Sequence, residues 1–282
     1  MQDNEFYVSS GSGKELFGKY WIPQGNPRAV IAVMHGLGDH ISRYENFAHF
    51  FSENQIAVIG IDQRGHGRSG GKRGHSGNYA SIMTDTQLLL LETRRRFTET
   101  PLFLFGHSMG ANFALNYALR HTSKEIMGVI LSAPFIHPNG MPFNQKILNI
   151  PAINRFFPFF TVSFTLDPME LTNDPSAGMK YLEDPVKHER ISIGLYRELS
   201  RSSKWILENA AKITYPVLIM HGRDDRIASW DQSKNISEKM ANNADLKIWE
   251  GMRHELHHEK SRIKVLEYVL SWLCKILDGQ SQ

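Results

Sequence analysis

One serine in the chain has the neighbours of an activated nucleophile. Gly106-His107-Ser108-Met109-Gly110 follows the apolar run Pro101 to Phe105 and precedes a stretch with helical spacing. Where a strand turns sharply into a helix, a serine at the turn is lifted clear of the sheet, and glycines two positions to either side permit the close approach of backbone. The amides at the start of the following helix then point at the group under attack. The pattern predicts Ser108 as the nucleophile of a hydrolase.

A serine hydroxyl attacks efficiently only when a histidine takes its proton, and that histidine needs a carboxylate to fix its tautomer. When the serine stands on a strand-to-helix turn, the carboxylate follows it along the chain, in a loop after a later strand. The run Val217 to Met220 leads into such a loop, which contains Asp224 and Asp225. On the residues alone, both aspartates remain candidates for the acid.

The histidine of such a set comes last, in a loop after another strand. The chain has 13 histidines, so position has to decide between them. His254 stands soonest after the run Leu246 to Trp249, where a loop can bring it over Ser108, whereas His257 and His258 are predicted to enter the last helix. The order along the chain therefore favours His254 as the base.

Two backbone amides are expected to stabilise the oxyanion. One is the amide after the serine, at Met109, and the other comes from a glycine-rich loop at the end of an earlier strand. His35-Gly36-Leu37-Gly38 follows the run Ala29 to Met34 and fits that loop. We therefore predict the N–H groups of Leu37 and Met109 as the oxyanion hole.

The segment His254-Glu255-Leu256-His257-His258 also matches His-Glu-x-x-His, a zinc metalloprotease pattern. That pattern binds zinc through His254 and His258 only if both lie on one face of a continuous helix. His254 closely follows a strand and Gly251, so the sequence places it before the helix, and the extended forms of the motif are absent. No metal or organic cofactor is predicted, and a zinc hydrolase is kept as the alternative enzyme class.

The elements that hold these residues are predicted from hydrophobic periodicity. Short continuous apolar runs alternate with helical patterns, which is typical of an α/β fold with a mostly parallel central sheet flanked by helices. The alternation stops between about residues 135 and 210, in a segment rich in proline and phenylalanine. We predict a core domain of residues 1–134 and 211–282, and a helical cap or lid insertion of residues 135–210.

Composition limits the class of protein and its partners. The 282 residues are 41% hydrophobic and carry a formal net charge of +3, which is too small to indicate a nucleic-acid partner. Cys274 is the only cysteine, and no stretch approaches the roughly 18 apolar residues that cross a bilayer. The first residues lack a signal-peptide pattern. We expect a cytoplasmic protein that can attach peripherally to a membrane, and leave its oligomeric state open.

Taken together, the motifs resemble the monoacylglycerol lipase and lysophospholipase branch of the α/β hydrolases over nearly the whole chain. The resemblance implies the α/β-hydrolase fold, a Ser108–Asp225–His254 triad, and Leu37 and Met109 as oxyanion donors. It therefore favours Asp225 over Asp224. The segments that carry it are His35 to His40 with Arg43-Tyr44, Asp62 to Gly70, Gly106 to Gly110, His221 to Ile227, His254 with Glu259, and Tyr181 with Asp184-Pro185.

The resemblance also implies how a substrate is held. In monoacylglycerol lipases an acidic residue after the His-Gly-x-Gly turn, an arginine four positions later and a cap tyrosine surround the glycerol headgroup. Asp39, Arg43 and Tyr181 fall at those places, with His107 beside the nucleophile. Asp39 stands where glutamate is common, and Ala111 stands where glycine is usual. The competing interpretation of Asp39 and Arg43 is an ordinary ion pair at the start of a helix.

The predicted cap contains an aromatic stretch, Phe156 to Phe164. Phe159 and Phe160 are candidates to bind an acyl chain, to contact a membrane surface or to form a small core within the cap. The expected substrate is a small-molecule lipid ester, either a monoacylglycerol or a lysophospholipid. The alternatives are a broader short-chain carboxylesterase, a related peptidase and a non-catalytic ligand-binding module on a hydrolase scaffold.

Overall fold

The structure is a computed structural model that describes residues 2–10, 13–121, 125–136 and 157–279. Its main sheet has eight strands, and a separate antiparallel pair lies outside that sheet. In chain order the strands are β1 (Gln2–Ser9), β2 (Glu15–Ile22), β3 (Ala29–Met34), β4 (Ile56–Ile61), β5 (Leu102–His107), β6 (Ile126–Ser132), β7 (Thr161–Ser163), β8 (Arg190–Ser192), β9 (Val217–Gly222) and β10 (Ala244–Trp249). The separate pair is β7 with β8.

The main sheet has the strand order β1-β2-β4-β3-β5-β6-β9-β10. From β4 to β10 all neighbouring strands are parallel, so their carboxyl ends meet at one edge of the sheet. β1 and β2 add an antiparallel extension at the other end. The predicted α/β class, with a mostly parallel sheet, is confirmed. The two antiparallel strands have no continuous apolar run, because several of their side chains stay exposed.

Helices cover both faces of the sheet. They are α1 (Glu45–Glu53), α2 (Tyr79–Arg96), α3 (Met109–Arg120), α4 (Pro168–Leu171), α5 (Pro175–Glu183), α6 (Ile193–Asn209), α7 (Trp230–Met240) and α8 (Arg262–Gly279). Val30 of β3 belongs to the core layer that includes α2 and α3, whereas Ile31 belongs to the layer that includes α1 and α8. Burial on both faces explains why these strands are continuous apolar runs. Among the described helices, none is long and apolar enough to cross a membrane.

The segment predicted as a cap is helical in its described part, 157–210. Prolines stand in the first turn of α4 and α5, and the side chains of Asp167, Asp174 and Ser192 cap α4, α5 and α6 by accepting hydrogen bonds from backbone amides. The β7–β8 pair is an addition that the sequence pattern did not indicate. Residues 137–156, with Phe156 and three of the prolines, lie outside the described residues. The division into core and cap domains stays a prediction.

Candidate active site

Ser108 lies at the turn between β5 and α3, in a strained backbone conformation with φ 53° and ψ −116°. Positive φ is unfavourable for a residue with a side chain, and it persists where surrounding structure imposes it. Side chains on the flanking glycines would collide with backbone: a Cβ on Gly106 would lie 2.5 Å from Ala111 Cα, and one on Gly110 would meet the Met34 carbonyl. The local sequence thus forms the sharp elbow that the Gly-x-Ser-x-Gly pattern predicts.

The loops after β9 and β10 bring Asp225 and His254 together. His254 Nδ1 lies 2.7 Å from Asp225 Oδ2, and both side chains are buried. A carboxylate can only accept, so Nδ1 carries the proton and donates it, and Nε2 of His254 is left as the basic nitrogen. His254 and Ser108 line the same cavity. The geometry therefore provides an oriented histidine beside the serine.

Asp225 is held by a complete set of hydrogen bonds. Its Oδ1 accepts the backbone N–H groups of Ile227 and Ala228 at 2.8 and 3.0 Å. Its Oδ2 is shared by His254 and by His221 Nε2, which lies 2.9 Å away. His221 is in turn fixed by Ser233, whose hydroxyl lies 2.7 Å from Nδ1. Asp224, the competing candidate, is exposed to solvent.

The charges of this pair reinforce one another. Burial alone would raise the pKa of Asp225, but the charge of His254 and the hydrogen bonds from His221 and His254 hold that pKa well below its ordinary value. Burial alone would lower the pKa of His254, but the Asp225 carboxylate raises it above its ordinary value of 6.5. Asp225 therefore stays ionised, and His254 is a stronger base than an isolated imidazole.

The glycine-rich loop after β3 lies against Ser108. A Cβ on Gly36 would be 3.5 Å from Ser108 Cβ and 3.2 Å from the His107 ring, so only glycine fits without displacement. His35, at the start of this loop, is held in place because the backbone N–H of Gln63 donates to its Nε2 at 2.8 Å. Leu37 and Met109 both line the cavity at Ser108. The two predicted oxyanion donors are thus on the segments that flank Ser108.

The cavity at Ser108 has an empty volume of about 980 Å³, including its open mouth. Arg226 and Glu170, which carry opposite charges, are among its lining residues. Most of its walls are apolar. The apolar lining residues from the segment predicted as the cap are Phe135, Phe164, Leu166, Leu171 and Leu199, and Ile227 lines the cavity from the core.

Part of the wall is instead strongly polar, and we call it the acidic floor: Asp39, Arg43 and Glu255. Arg43 donates two parallel hydrogen bonds to Glu255, each 2.8 Å long, and a third to Asp39 Oδ1 at 3.0 Å. The Tyr181 ring lies over the guanidinium, with its centroid 5.1 Å from Arg43 Cζ. All three charged side chains are more than nine-tenths buried. One arginine is thus shared by two carboxylates.

The acidic floor keeps its charges at neutral pH. Burial alone would raise the pKa values of both carboxyls, but the Arg43 guanidinium holds them well below their ordinary range. Burial alone would lower the pKa of Arg43, but the Glu255 and Asp39 carboxylates raise it well above its ordinary value. With two carboxylates against one guanidinium, the floor has an excess of negative charge. The Asp39 carboxylate also faces the hydroxyl of the buried Tyr44, whose pKa is raised by burial and then by the charge of Asp39.

His107 is neutral and has a defined tautomer. Burial, followed by the neighbouring His254, lowers its pKa well below 6.5. Its Nδ1 lies 3.2 Å from the Ser132 carbonyl, which can only accept, so the proton is on Nδ1 and Nε2 is an acceptor. His107 lines the cavity beside Ser108, with its ring 4.8 Å from that of His254. It can therefore accept a hydrogen bond from a substrate hydroxyl.

The zinc interpretation meets an unfavourable geometry. His254 precedes a short 3-10 helix, Leu256–His258, and the intervening Glu255 has a non-helical backbone, so the two histidines do not share one helical face. Glu255 is paired with Arg43, and His254 Nδ1 is paired with Asp225. In the described part of the chain no cluster of three histidine, cysteine or acidic side chains is arranged to hold a metal ion. His257 and His258 belong to this 3-10 helix and not to α8, where the sequence placed them.

The structure brings together most, but not all, of the residues that the sequence singled out. Asp39, Arg43, His107 and Tyr181 line the cavity together with Ser108 and His254. Phe159 and Phe160 do not line it, and their side chains are 60% and 57% exposed at the surface. Their role as acyl-binding residues therefore has no support in the cavity geometry.

His221 and Glu255 have evident roles at the site, but the sequence patterns did not indicate those roles. His221 stands in the motif His221 to Ile227, but its hydrogen bond to Asp225 depends on how the loop folds back. Glu255 was considered only within the zinc pattern. Its partner Arg43 is 212 residues away in the chain, so no local pattern could have revealed the pair.

The fold and the elbow at Ser108 define an α/β hydrolase of the serine type. Residues 25–261 match the family described as serine aminopeptidase, S33. The chain belongs to this family, in its monoacylglycerol lipase-like branch. The family resemblance and the enzyme class expected from the sequence, an ester hydrolase, are thereby confirmed.

Relatives of this branch align with nearly the whole chain. The monoacylglycerol lipase of Mycolicibacterium smegmatis is 29% identical, and the alignment covers 96% of each protein. The crystal structure of the Paleococcus ferrophilus monoacylglycerol lipase is similar with a TM-score of 0.83 and 27% identity, covering 93% of this chain and 99% of that one. An uncharacterized abhydrolase domain-containing protein of Dictyostelium discoideum is 32% identical over 90% of this chain, which spans only 27% of that longer protein.

Proposed function

We propose that the protein hydrolyses the carboxylic ester of a monoacylglycerol through Ser108, His254 and Asp225. The observation that carries the proposal is the buried 2.7 Å hydrogen bond between His254 Nδ1 and Asp225 Oδ2, at the cavity that Ser108 lines. It leaves His254 Nε2 as a base for the serine. The similarity to two monoacylglycerol lipases supports a lipid ester as the substrate.

The reaction takes place in two half-reactions. Ser108 Oγ attacks the ester carbon while His254 Nε2 takes its proton, and the amides of Leu37 and Met109 stabilise the negatively charged oxygen. His254 then gives this proton to the glycerol oxygen as the carbon–oxygen bond breaks, which leaves the acyl group on Ser108. Water attacks the acyl-enzyme with His254 as base, the fatty acid departs and Ser108 regains its proton.

The acidic floor favours a neutral headgroup over a phosphate. An anionic phosphate would have to displace Glu255 from Arg43, and it would lie beside an excess carboxylate in a buried site, where like charges repel strongly. A glycerol hydroxyl carries no charge to be repelled, and it can donate to Nε2 of His107, a residue that lines the same cavity. Of the two lipid esters expected, the monoacylglycerol is the better match.

The apolar walls support the acyl half of the same substrate. Phe164, Leu171 and Leu199 line the cavity and belong to the segment 135–210. We therefore take this segment to act as a cap that covers the acyl chain and keeps water from it. A short ester would leave much of this apolar surface in water, so longer acyl chains are expected to bind more tightly.

The experiment is a comparison of kcat/KM for monooleoylglycerol and for lysophosphatidylglycerol with the same oleoyl chain. The wild-type enzyme should prefer the neutral ester by about tenfold or more, which corresponds to roughly 1.4 kcal/mol. Glu255→Gln removes one negative charge from the floor and should narrow this preference. The matched control is Glu250→Gln, which changes an exposed glutamate paired with Arg223 and should leave the ratio unchanged.

Equal rates on the two esters, or a preference for the anionic one, would contradict the headgroup assignment. Ester cleavage that survives in Ser108→Ala would contradict the nucleophile. The family description names an aminopeptidase, and an excess of carboxylate also suits a substrate ammonium group. An aminoacyl anilide therefore belongs in the panel, and its cleavage in the absence of ester cleavage would favour a peptidase over the proposed lipase.

A further inference from the structure

A short segment of the predicted cap lies directly on the loop that carries Leu37. We call residues 184–188, between α5 and β8, the strap, and residues 36–40, after β3, the oxyanion loop. His188, at the end of the strap, donates its backbone N–H to the Gly38 carbonyl at 3.0 Å. A Cβ on Gly38 would collide with the His188 carbonyl oxygen. The two segments are therefore in close backbone contact, immediately after Leu37.

A second contact joins the strap to the end of the oxyanion loop. His40 Nε2 lies 2.8 Å from Asp184 Oδ2, and the two side chains are only 7% and 16% exposed. Burial alone would raise the pKa of Asp184, but the hydrogen bonds from His40 and from backbone amides lower it, so the carboxylate stays ionised. Because a carboxylate can only accept, His40 Nε2 carries the proton and donates it.

The strap has a fixed shape of its own. Asp184 Oδ1 accepts the backbone N–H groups of Val186 and Lys187 at 2.8 and 3.4 Å. His188 Nε2 donates to the carbonyl of Gly65, in the turn after β4, at 3.0 Å. Asp184 thus uses one carboxylate oxygen to fold the strap and the other to bind the oxyanion loop.

The oxyanion loop needs such external support. Gly36 and Gly38 flank Leu37, and Gly38 has a φ of 75°. Glycine loses more conformational freedom on folding than any other residue, so a glycine-rich loop keeps one conformation only where contacts impose it. The end of β3 holds the beginning of the loop, and the strap holds the part that follows Leu37. A catalytic group that is misplaced by about 1 Å can cost on the order of 10² in rate.

We propose that the strap positions the oxyanion hole, by holding the Leu37 N–H towards the ester carbonyl that Ser108 attacks. Asp184 and His188 act through the oxyanion loop, since neither of them lines the cavity in the described structure. The inference rests on the proposed function, and it adds that the predicted cap helps to form the catalytic site as well as the acyl-binding walls.

The first experiment measures kcat and KM on a dissolved short-chain ester. Asp184→Ala removes the contact with His40 and the hydrogen bonds that fold the strap, so kcat should fall by about 10- to 100-fold with little change in KM. Asp184→Asn keeps an acceptor oxygen for the amides of the strap and a polar partner for His40, and it should recover most of the loss. The pH profile should keep its inflection in both variants, because the strap has no described hydrogen bond to His254 or Asp225.

A double-mutant cycle separates the His40–Asp184 contact from general damage. His40→Ala should also lower kcat, and the variant that combines it with Asp184→Ala should fall little further, because both changes remove the same interaction. Losses that multiply would mean that the two side chains act independently and would contradict the proposal.

A trifluoromethyl ketone tests the oxyanion directly. Ser108 Oγ bonds to its carbonyl carbon, the serine proton passes to His254, and the carbonyl oxygen becomes the oxyanion. The inhibition constant should rise in Asp184→Ala by about the factor by which kcat falls. A monoalkylglycerol ether, which has no carbonyl, should bind to this variant as it does to the wild type. The ketone readout does not depend on which ester is the natural substrate.

Asp174→Ala is the matched control. Asp174 also folds a turn of the predicted cap, where it caps α5, and it pairs with Arg262, but its described side-chain contacts do not reach the oxyanion loop. Its loss should lower the thermal stability and leave kcat and the inhibition constant unchanged. Ester cleavage that survives in Ser108→Ala would be a failure of the proposed function, whereas the strap is tested by the ratio of each variant to the wild type.

Several results would overturn the role of the strap. One is a folded Asp184→Ala enzyme with the kcat of the wild type, and another is a rise in KM alone. An equal loss of kcat in Asp174→Ala would show that any damage to the predicted cap has the same effect. A lower kcat with an unchanged inhibition constant for the ketone would show that the oxyanion hole is intact without the strap.

Discussion

The acidic floor and the exposed turn of residues 157–160 use similar chemical groups under opposite conditions. In the floor, Arg43 is buried beneath Tyr181 and fully engaged by two carboxylates at hydrogen-bond distance. At the turn, Lys72 lies in solvent and donates to the Phe159 carbonyl, and the phenylalanine rings are more than half exposed. A buried charge acts through fixed geometry, because its partners cannot move away or be screened. An exposed charge acts through its contribution to the local field, which salt weakens.

The difference also has a functional sense. The floor, with its excess of carboxylates, would discriminate against an anionic substrate, whereas the exposed turn is not part of the cavity. Variants of the buried region should therefore change chemistry, specificity or folding, and variants of the exposed turn should leave the rate on a dissolved ester unchanged.

The largest effect is expected from Asp225→Asn. Loss of the carboxylate removes the acceptor that fixes the His254 tautomer, so kcat should fall by about 10³- to 10⁴-fold on both dissolved and vesicle-borne esters. A loss of activity below about tenfold, measured by steady-state kinetics on a correctly folded variant, would show that Asp225 does not orient the base. Asp224→Asn is the matched control, and it should retain wild-type activity.

The next effect concerns the stability of the acidic floor. Glu255→Ala leaves the buried Arg43 with one partner instead of two, and it should lower the free energy of unfolding by about 3–5 kcal/mol. Glu255→Gln keeps an acceptor for Arg43 and should cost clearly less. Chemical denaturation of both variants checks this order. Equal stabilities for wild type and Glu255→Ala would mean that the pair is not formed as the structure describes.

The pH dependence of kcat/KM tests the electrostatics of His254. The base is active when it is neutral, so the rate should rise about tenfold per pH unit at low pH and level off above the pKa of His254. Asp225 raises that pKa above 6.5, so the plateau should be reached only above that value. In Asp225→Asn, burial remains without the carboxylate, and the residual activity should have its inflection below 6.5. An inflection at the same pH as in the wild type would show that Asp225 does not raise the pKa of His254.

The smallest effect is expected from an exposed ion pair at the surface. Arg68 and Glu5 are 43% and 50% exposed, and such pairs contribute little because water and salt screen them. Arg68→Ala should change the free energy of unfolding by about 1 kcal/mol or less, including its loss of contact with the Phe17 ring. A loss of unfolding free energy as large as that in Glu255→Ala would show that this exposed ion pair stabilises the protein as much as the buried one.

The parts of the site that could be predicted from the sequence are those with a local cause. The elbow at Ser108 is built by glycines two residues away, and the oxyanion loop by glycines beside Leu37, so short motifs encode both. Strands buried on both faces are continuous apolar runs, which is why the parallel part of the sheet was predictable. β2 was not predicted, since Gly18 and the half-buried Lys19 interrupt its apolar run.

The parts that could not be predicted depend on contacts between distant segments. Glu255 belongs to the acidic floor only because Arg43 folds against it. His257 was expected in the last helix, but Glu259 ends the 3-10 helix in an extended conformation while its carboxylate accepts the amides of Arg253 and Asn173. The exposure of Phe159 likewise follows from the hydrogen bonds that hold its turn, and an aromatic stretch alone does not distinguish surface from cavity.

The central claim is that Ser108 is an activated nucleophile, and covalent labelling tests it most directly. A fluorophosphonate should react with the wild-type chain, and mass mapping should place the label on Ser108. Labelling should be lost in Ser108→Ala, strongly reduced in Asp225→Asn and indifferent to a metal chelator. A label on another residue, or an unlabelled enzyme whose ester cleavage is abolished by the chelator, would contradict the triad and support metal-dependent hydrolysis instead.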